Sequence, residues 1–120
     1  MPPTSKAAKP KPAKSALNAG AGGPPLGHLK MDDKQLGAAL MVANEWAEVG
    51  GSIQRTFGFK DFVTAMAFVD KVAEAAEAAQ HHPDILIRYN KVTISVNTHD
   101  AGGITQKDFD LAAELDRLAG

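Results

Sequence analysis

Cysteine is absent from this 120-residue chain. Disulfide frameworks, thiolate metal sites and cysteine nucleophiles are therefore excluded, and a reducing compartment is compatible with the sequence. No apolar run approaches the roughly 18–20 residues that span a bilayer. The first residues also lack the apolar stretch and small-residue cleavage site of a secretory leader. A cytoplasmic protein without a membrane segment is the expectation. Acid is missing from the first thirty residues, which hold Lys6, Lys9, Lys11, Lys14 and Lys30. The formal net charge of −1 thus divides into +5 on residues 1–30 and −6 on the remainder. A basic arm on an acidic body could meet nucleic acid or a membrane surface. No arginine or aromatic is interleaved with these lysines and no docking motif follows, which disfavours a nucleic-acid partner. The arm reads as a solubilising tail that can fold back loosely on the acidic domain.

What is present fits one small domain. The length allows a single compact unit, and a core of this size makes oligomerisation an expected supplement. Six of the seven prolines precede residue 26, among Ala, Gly, Lys and Ser. Such a segment cannot bury enough apolar surface to offset its ordering entropy. Residues 1–29 are expected to be a disordered basic tail and residues 30–120 the folded domain.

Asp32 or Asp33 can cap a first helix reaching about Asn44, with Leu36, Ala39, Leu40 and Ala43 on one face. Trp46–Val49 and Ser52–Phe59 flank Gly50-Gly51 and read as a hairpin, because glycine accepts the positive φ of a tight turn. Ile53, Arg55, Phe57 and Phe59 share one parity, so alternation there is imperfect. Phe62, Met66, Val69, Ala73 and Ala76 recur at steps of four and three, a helical stripe. Asp61 favours its start through the dipole, and Pro83 forces its end. A second hairpin follows, with Ile85, Ile87 and Tyr89, a turn at Asn90-Lys91, then Val92, Ile94 and Val96. Thr93, Ser95 and Asn97 make its other face polar, so one side should be covered and the other open. Thr105-Gln106-Lys107-Asp108 is a capping-box-like start for a last helix bearing Leu111, Ala112, Leu115 and Leu118. The expected architecture is α+β: a four-stranded antiparallel sheet with three helices packed on one face.

The chemistry-bearing residues gather at element ends. His81 and His82 sit where the long helix stops, and His99 follows the last strand in Thr98-His99-Asp100. If the second hairpin runs out over Asp84–Asn90 and returns over Val92–Thr98, its outer ends meet and the three histidines share one cleft. Adjacent side chains on a helix point about 100° apart, so His81 and His82 are poor joint ligands while helical. No HExxH pattern is present, although Asp84 or Asp100 could complete a metal site. No metal is expected. Acid/base work suits the cluster better, since imidazole gives and takes protons near neutral pH. Glu77, four residues before His81, could orient that ring or bind donors on a ligand; its bland reading is a solvated surface carboxylate. A capping box explains Asp108 without any ligand. Trp46 reads as core, and His28 lies in the tail with no role assigned.

His81-His82-Pro83, Tyr89-Asn90-Lys91-Val92, Thr98-His99, Gly103-Ile104-Thr105 and Asp108 together resemble the pterin-4a-carbinolamine dehydratases, as do Phe59-Lys60-Asp61-Phe62 and the Ala-rich helix to Glu77. The likeness covers roughly residues 32–120. Ile85 stands where animal members tend to have tryptophan, and Gln80 where an acidic residue is often found. The resemblance implies a hydro-lyase, 4a-hydroxytetrahydrobiopterin dehydratase. Such an enzyme converts 4a-hydroxytetrahydropterin to quinonoid dihydropterin and so supports recycling of the pterin cofactor used by aromatic amino-acid hydroxylases. It places His81, His82 and His99 as catalytic residues and Glu77 and Asp108 as substrate-binding ones, with no cofactor. It also implies a homodimer or homotetramer, and a pterin-dependent hydroxylase as pathway partner. The alternative it carries is a non-enzymatic interaction module, either a dimerisation cofactor of a transcription factor or a Rubisco assembly factor.

Overall fold

The computed structural model describes residues 29–120. The expected tail therefore lies outside the described residues, except for Leu29. The chain runs α1 (Asp33–Val42), β1 (Ala47–Val49), β2 (Ser52–Gly58), α2 (Phe62–Ala79), β3 (Asp84–Arg88), β4 (Lys91–Val96), a 3₁₀ turn (His99–Ala101) and α3 (Gln106–Ala119). The four strands form one antiparallel sheet in the order β1-β2-β4-β3. This is the α+β architecture expected, three helices with a four-stranded sheet.

Local chemistry accounts for the element ends. Asp32 caps α1 by accepting from Gln35 N–H at 2.7 Å while Gln35 Oε1 accepts from Asp32 N–H at 2.9 Å, a reciprocal capping box. Gly50 and Gly51 both take positive φ (61° and 85°), the backbone a tight two-residue hairpin requires. Asp61 caps α2 through Thr64 N–H at 2.8 Å, and hydrogen bonding from the Thr64 side chain first and its amide second holds the Asp61 carboxyl below the ordinary value of 3.8. The second hairpin turns at Tyr89-Asn90, one residue earlier than Asn90-Lys91. Tyr89 takes the left-handed backbone (φ 54°), and Asn90 Nδ2 ties the turn to Phe59 O at 2.7 Å.

The core lies between the sheet and the helices. Val92, Ile94 and Val96 of β4 and Ile53 and Phe57 of β2 are buried against Ala65, Phe68 and Val72 of α2 and Leu111, Ala112 and Leu115 of α3. Thr93 and Ser95, on the opposite parity of β4, are only partly covered, so the sheet has one closed and one open face. The buried stripe of α2 is Ala65, Phe68, Val72 and Ala76; Ala76 is as expected, the other three lie one position before Met66, Val69 and Ala73, and Phe62 and Ala73 are exposed. Only Thr64, Asp70, Lys71, Glu74 and Glu77 of its 18 residues are not apolar, so two neighbouring stripes carry the same period. Arg55 explains the imperfect alternation in β2. Its guanidinium sits 4.3 Å over the Phe57 ring and donates to Asp116 at 2.7 Å. Asp116 also accepts from the indole N–H of Trp46, buried in the core as expected. Among the described residues no helix is long and apolar enough to cross a membrane.

Candidate active site

The end of α2 sets the geometry. Gln80 adopts a left-handed backbone (φ 52°, ψ 42°), and His81 N–H reaches back to Ala76 O at 3.0 Å. This six-to-one bond satisfies a terminal carbonyl and reverses the chain, a role that usually falls to glycine. Gln80 offsets part of the strain by donating its own Nε2 to Glu77 O at 2.8 Å.

Past that reversal the paired histidines diverge. His82 stays on the surface, with Nε2 2.5 Å from Glu77 Oε2. Glu77 therefore meets His82 and not His81, because Gln80 swings His81 off the helical face that the four-residue spacing would have kept. His81 turns inward to the first turn of α3, where its Nε2 lies 2.5 Å from Asp108 Oδ1.

Asp108 is fully buried and does two things at once. Its Oδ2 accepts from Thr105 N–H at 2.8 Å, closing the capping box at the start of α3, and from the Thr98 hydroxyl at 3.0 Å. Its Oδ1 is left for His81. A carboxylate in the first helical turn is also favoured by the helix dipole. Because an ionised carboxylate only accepts, Nε2 of His81 is the donor in this contact, and Nδ1 is the ring nitrogen left to give or take a proton. The ring is 9% exposed, so only a narrow edge faces solvent.

His99 opens the 3₁₀ turn just past β4 and is exposed. The last strand pair of the hairpin is Asp84↔Ser95, which leaves His81 three residues before one end and Thr98-His99 just beyond the other. The bonds from Asp108 to His81 and Thr98 bridge these ends. The His99 imidazole takes no part in that network. A pocket of about 210 Å³ lies beside it, lined by Thr98, Asp100, Ala101 and Lys107. Among the described residues, no group of three or more His, Asp or Glu side chains is arranged to hold a metal ion.

Thr98 and Thr105 had no assigned chemistry in the sequence beyond a motif position and a cap. Their signal was weak: a threonine directly before a histidine, and another opening a capping box.

A family model described as pterin 4 alpha carbinolamine dehydratase matches residues 29–118. A Picosynechococcus sp. protein assigned as pterin-4-alpha-carbinolamine dehydratase is 55% identical over 89 residues, 74% of this chain and 97% of the relative. An Acidobacterium capsulatum protein with the same assignment is 59% identical over 89 residues, again 74% and 97%. Among solved structures, a transcriptional coactivator/pterin dehydratase from Brucella melitensis superposes with a TM-score of 0.73 at 33% identity, covering 76% of this chain and 99% of that one. A pterin dehydratase-like protein described as a RuBisCO assembly factor in the alpha-carboxysome gives 0.56 at 28% identity, covering 63% and 90%.

Proposed function

This chain belongs to the pterin 4 alpha carbinolamine dehydratase family, and we propose that it removes water from 4a-hydroxytetrahydropterin in the cytoplasm, returning quinonoid dihydropterin for cofactor recycling downstream of a pterin-dependent hydroxylase. The observation that carries the reading is the buried His81–Asp108 pair at the mouth of a hairpin whose other end bears His99.

The reaction needs one proton given and one taken. Hydroxide leaves C4a poorly, so an acid must protonate that oxygen as the carbon–oxygen bond breaks. The lone pair of the neighbouring ring nitrogen forms the new double bond, and that nitrogen gives up its proton. Oxidation state does not change, so two imidazoles of complementary protonation suffice, each such step contributing about 10²–10⁴ in rate. His81, with Nε2 committed to Asp108, works through Nδ1, and His99 takes the other half of the exchange. His82, steadied by Glu77, binds and orients the pterin. Asp108 is fully buried and reaches the ligand only through His81, so its part is to hold that ring. The test is hydroxylase-generated carbinolamine followed spectroscopically with and without the protein, in the presence of a chelator. Acceleration that survives chelation is expected; an unchanged spontaneous rate would sink the reading.

The rival reading, a non-enzymatic interaction module, finds its nearest support in the assembly-factor neighbour. Three histidines, one of them locked to a buried carboxylate, are more than a scaffold needs.

The same protein is proposed to be a homodimer or homotetramer. β3 is an edge strand with Ile85 37% and Leu86 54% exposed, and an open apolar edge is a template for pairing with another chain. Sedimentation should show a species heavier than the single chain; monomer alone at working concentration would remove this claim.

A further inference from the structure

We infer that Thr98 is a positioning residue that serves both imidazoles at once: its hydroxyl holds the buried Asp108 carboxylate that faces His81, and its main chain anchors the turn that carries His99. The kinetic half of this inference rests on the dehydratase reading above; the spectroscopic half does not.

The direction of every hydrogen bond in the buried network can be worked out. Lys107 N–H can only donate, so Thr105 Oγ1 accepts from it at 3.2 Å. Asp108 can only accept, so the Thr98 hydroxyl gives its single proton to Oδ2 at 3.0 Å. The 2.7 Å contact between the two hydroxyls must then run from Thr105 to Thr98. With Thr105 N–H also on Oδ2, that oxygen has two donors and Oδ1 faces His81 alone. The imidazole in this place must present N–H, since a lone pair at 2.5 Å from a carboxylate oxygen would be repelled. The carboxylate alone demands Nε2–H, and the Thr98 hydroxyl, which never touches the ring, holds that carboxylate in place.

The main chain of Thr98 supplies the second half. Its N–H donates to Gly103 O at 2.8 Å, and its carbonyl accepts from Ala101 N–H at 3.0 Å and Gly103 N–H at 3.4 Å. The loop from His99 to Gly103 is closed on this one residue. Thr98 is also the N-cap of the 3₁₀ turn, yet its side chain makes no cap bond there. Threonine at such a position ordinarily spends its hydroxyl on the turn it begins. Here the hydroxyl goes to Asp108 instead, so one residue ties the His99 loop to the His81 pair.

Thr98→Val keeps the shape and removes the hydroxyl, while Thr98→Ser keeps the hydroxyl. Removal of a group that orients an active imidazole at second hand costs about 10–100-fold in activity. The expected result is a loss of that size in kcat for Thr98→Val with KM nearly unchanged, and recovery in Thr98→Ser to within about threefold of the parent, the pattern of lost transition-state placement and not of lost binding. The readout independent of activity is the ¹⁵N spectrum of the His81 ring in the full chain. It should show Nε2 protonated in all three proteins, with a slowly exchanging, hydrogen-bonded ring proton in the parent and in Thr98→Ser and a faster-exchanging one in Thr98→Val. A parent spectrum with the neutral ring protonated on Nδ1 overturns the inference without any variant. So does a Thr98→Val protein that folds and keeps the parent's spectrum or its kcat. If no variant and no parent shows dehydratase activity while the His81 ring proton behaves as stated, the activity reading fails and the structural inference stands.

Discussion

Asp108→Ala will leave a domain at the edge of folding, and Asp108→Asn will leave a folded domain with little activity. The two outcomes separate the jobs of one side chain. Alanine strands three donors at once in a buried space: the His81 ring N–H, the Thr98 hydroxyl and the Thr105 amide. Each buried donor left unpaired costs about 1–3 kcal/mol, so three stranded together amount to about 3–5 kcal/mol even toward the lower end of that range. Against a domain stability of about 5–15 kcal/mol, a loss of 3–5 kcal/mol is decisive. Chemical denaturation should show it directly.

Asparagine retains one acceptor oxygen. Two donors converge on the Oδ2 position, so the amide oxygen belongs there and keeps the cap. The NH₂ group then faces His81, whose Nε2 must become an acceptor. The neutral ring is forced into the other tautomer, and Nδ1 loses its lone pair. Errors of this kind behind an acid/base histidine cost about 10²–10⁴ in rate. A folded Asp108→Asn protein with parental turnover would remove His81 from the chemistry.

The second large effect is expected at His99. Exposed on a short turn and outside the buried network, it should be replaceable by alanine with a stability change within about 0.5 kcal/mol. Dehydration should nevertheless fall by about 10²–10⁴. His81→Ala should lose as much activity and stability besides, because it leaves Asp108 Oδ1 without its donor. His82→Ala should chiefly raise KM. Thermal melts run beside initial-rate kinetics check all three, and parental rates in either His81→Ala or His99→Ala would refute the division of labour.

Much of this was readable from the residues because the chemistry involved is local. The Gly50-Gly51 turn, the caps at Asp32 and Thr105 and the alternation of β4 each depend on neighbours a few positions apart. What was hidden depends on the third dimension. The buried stripe of α2 could not be told from its neighbour, since a helix apolar over so wide an arc has no single preferred face. Glu77 was paired by spacing with His81, yet the backbone of Gln80 hands it to His82; glutamine carries no mark of a left-handed residue. The contact from His81 to Asp108 spans 27 positions, and a capping box was reason enough for that aspartate. Thr98, within the resemblance but given no role, is tied into the network only because a hairpin and a helix start meet there.

The left-handed residue between α2 and His81 has a kinetic meaning of its own. A non-glycine side chain in that conformation carries about 1–2 kcal/mol of strain. Glycine would relieve the strain but enlarge the freedom of the unfolded chain, so the two effects on stability largely cancel. What would not cancel is the angular spread of the joint. Gln80, pinned by its own amide to the last turn of the helix, makes the hand-off to the imidazole pair stiff. Its stiffness is reorganisation that the enzyme need not perform each time a substrate arrives.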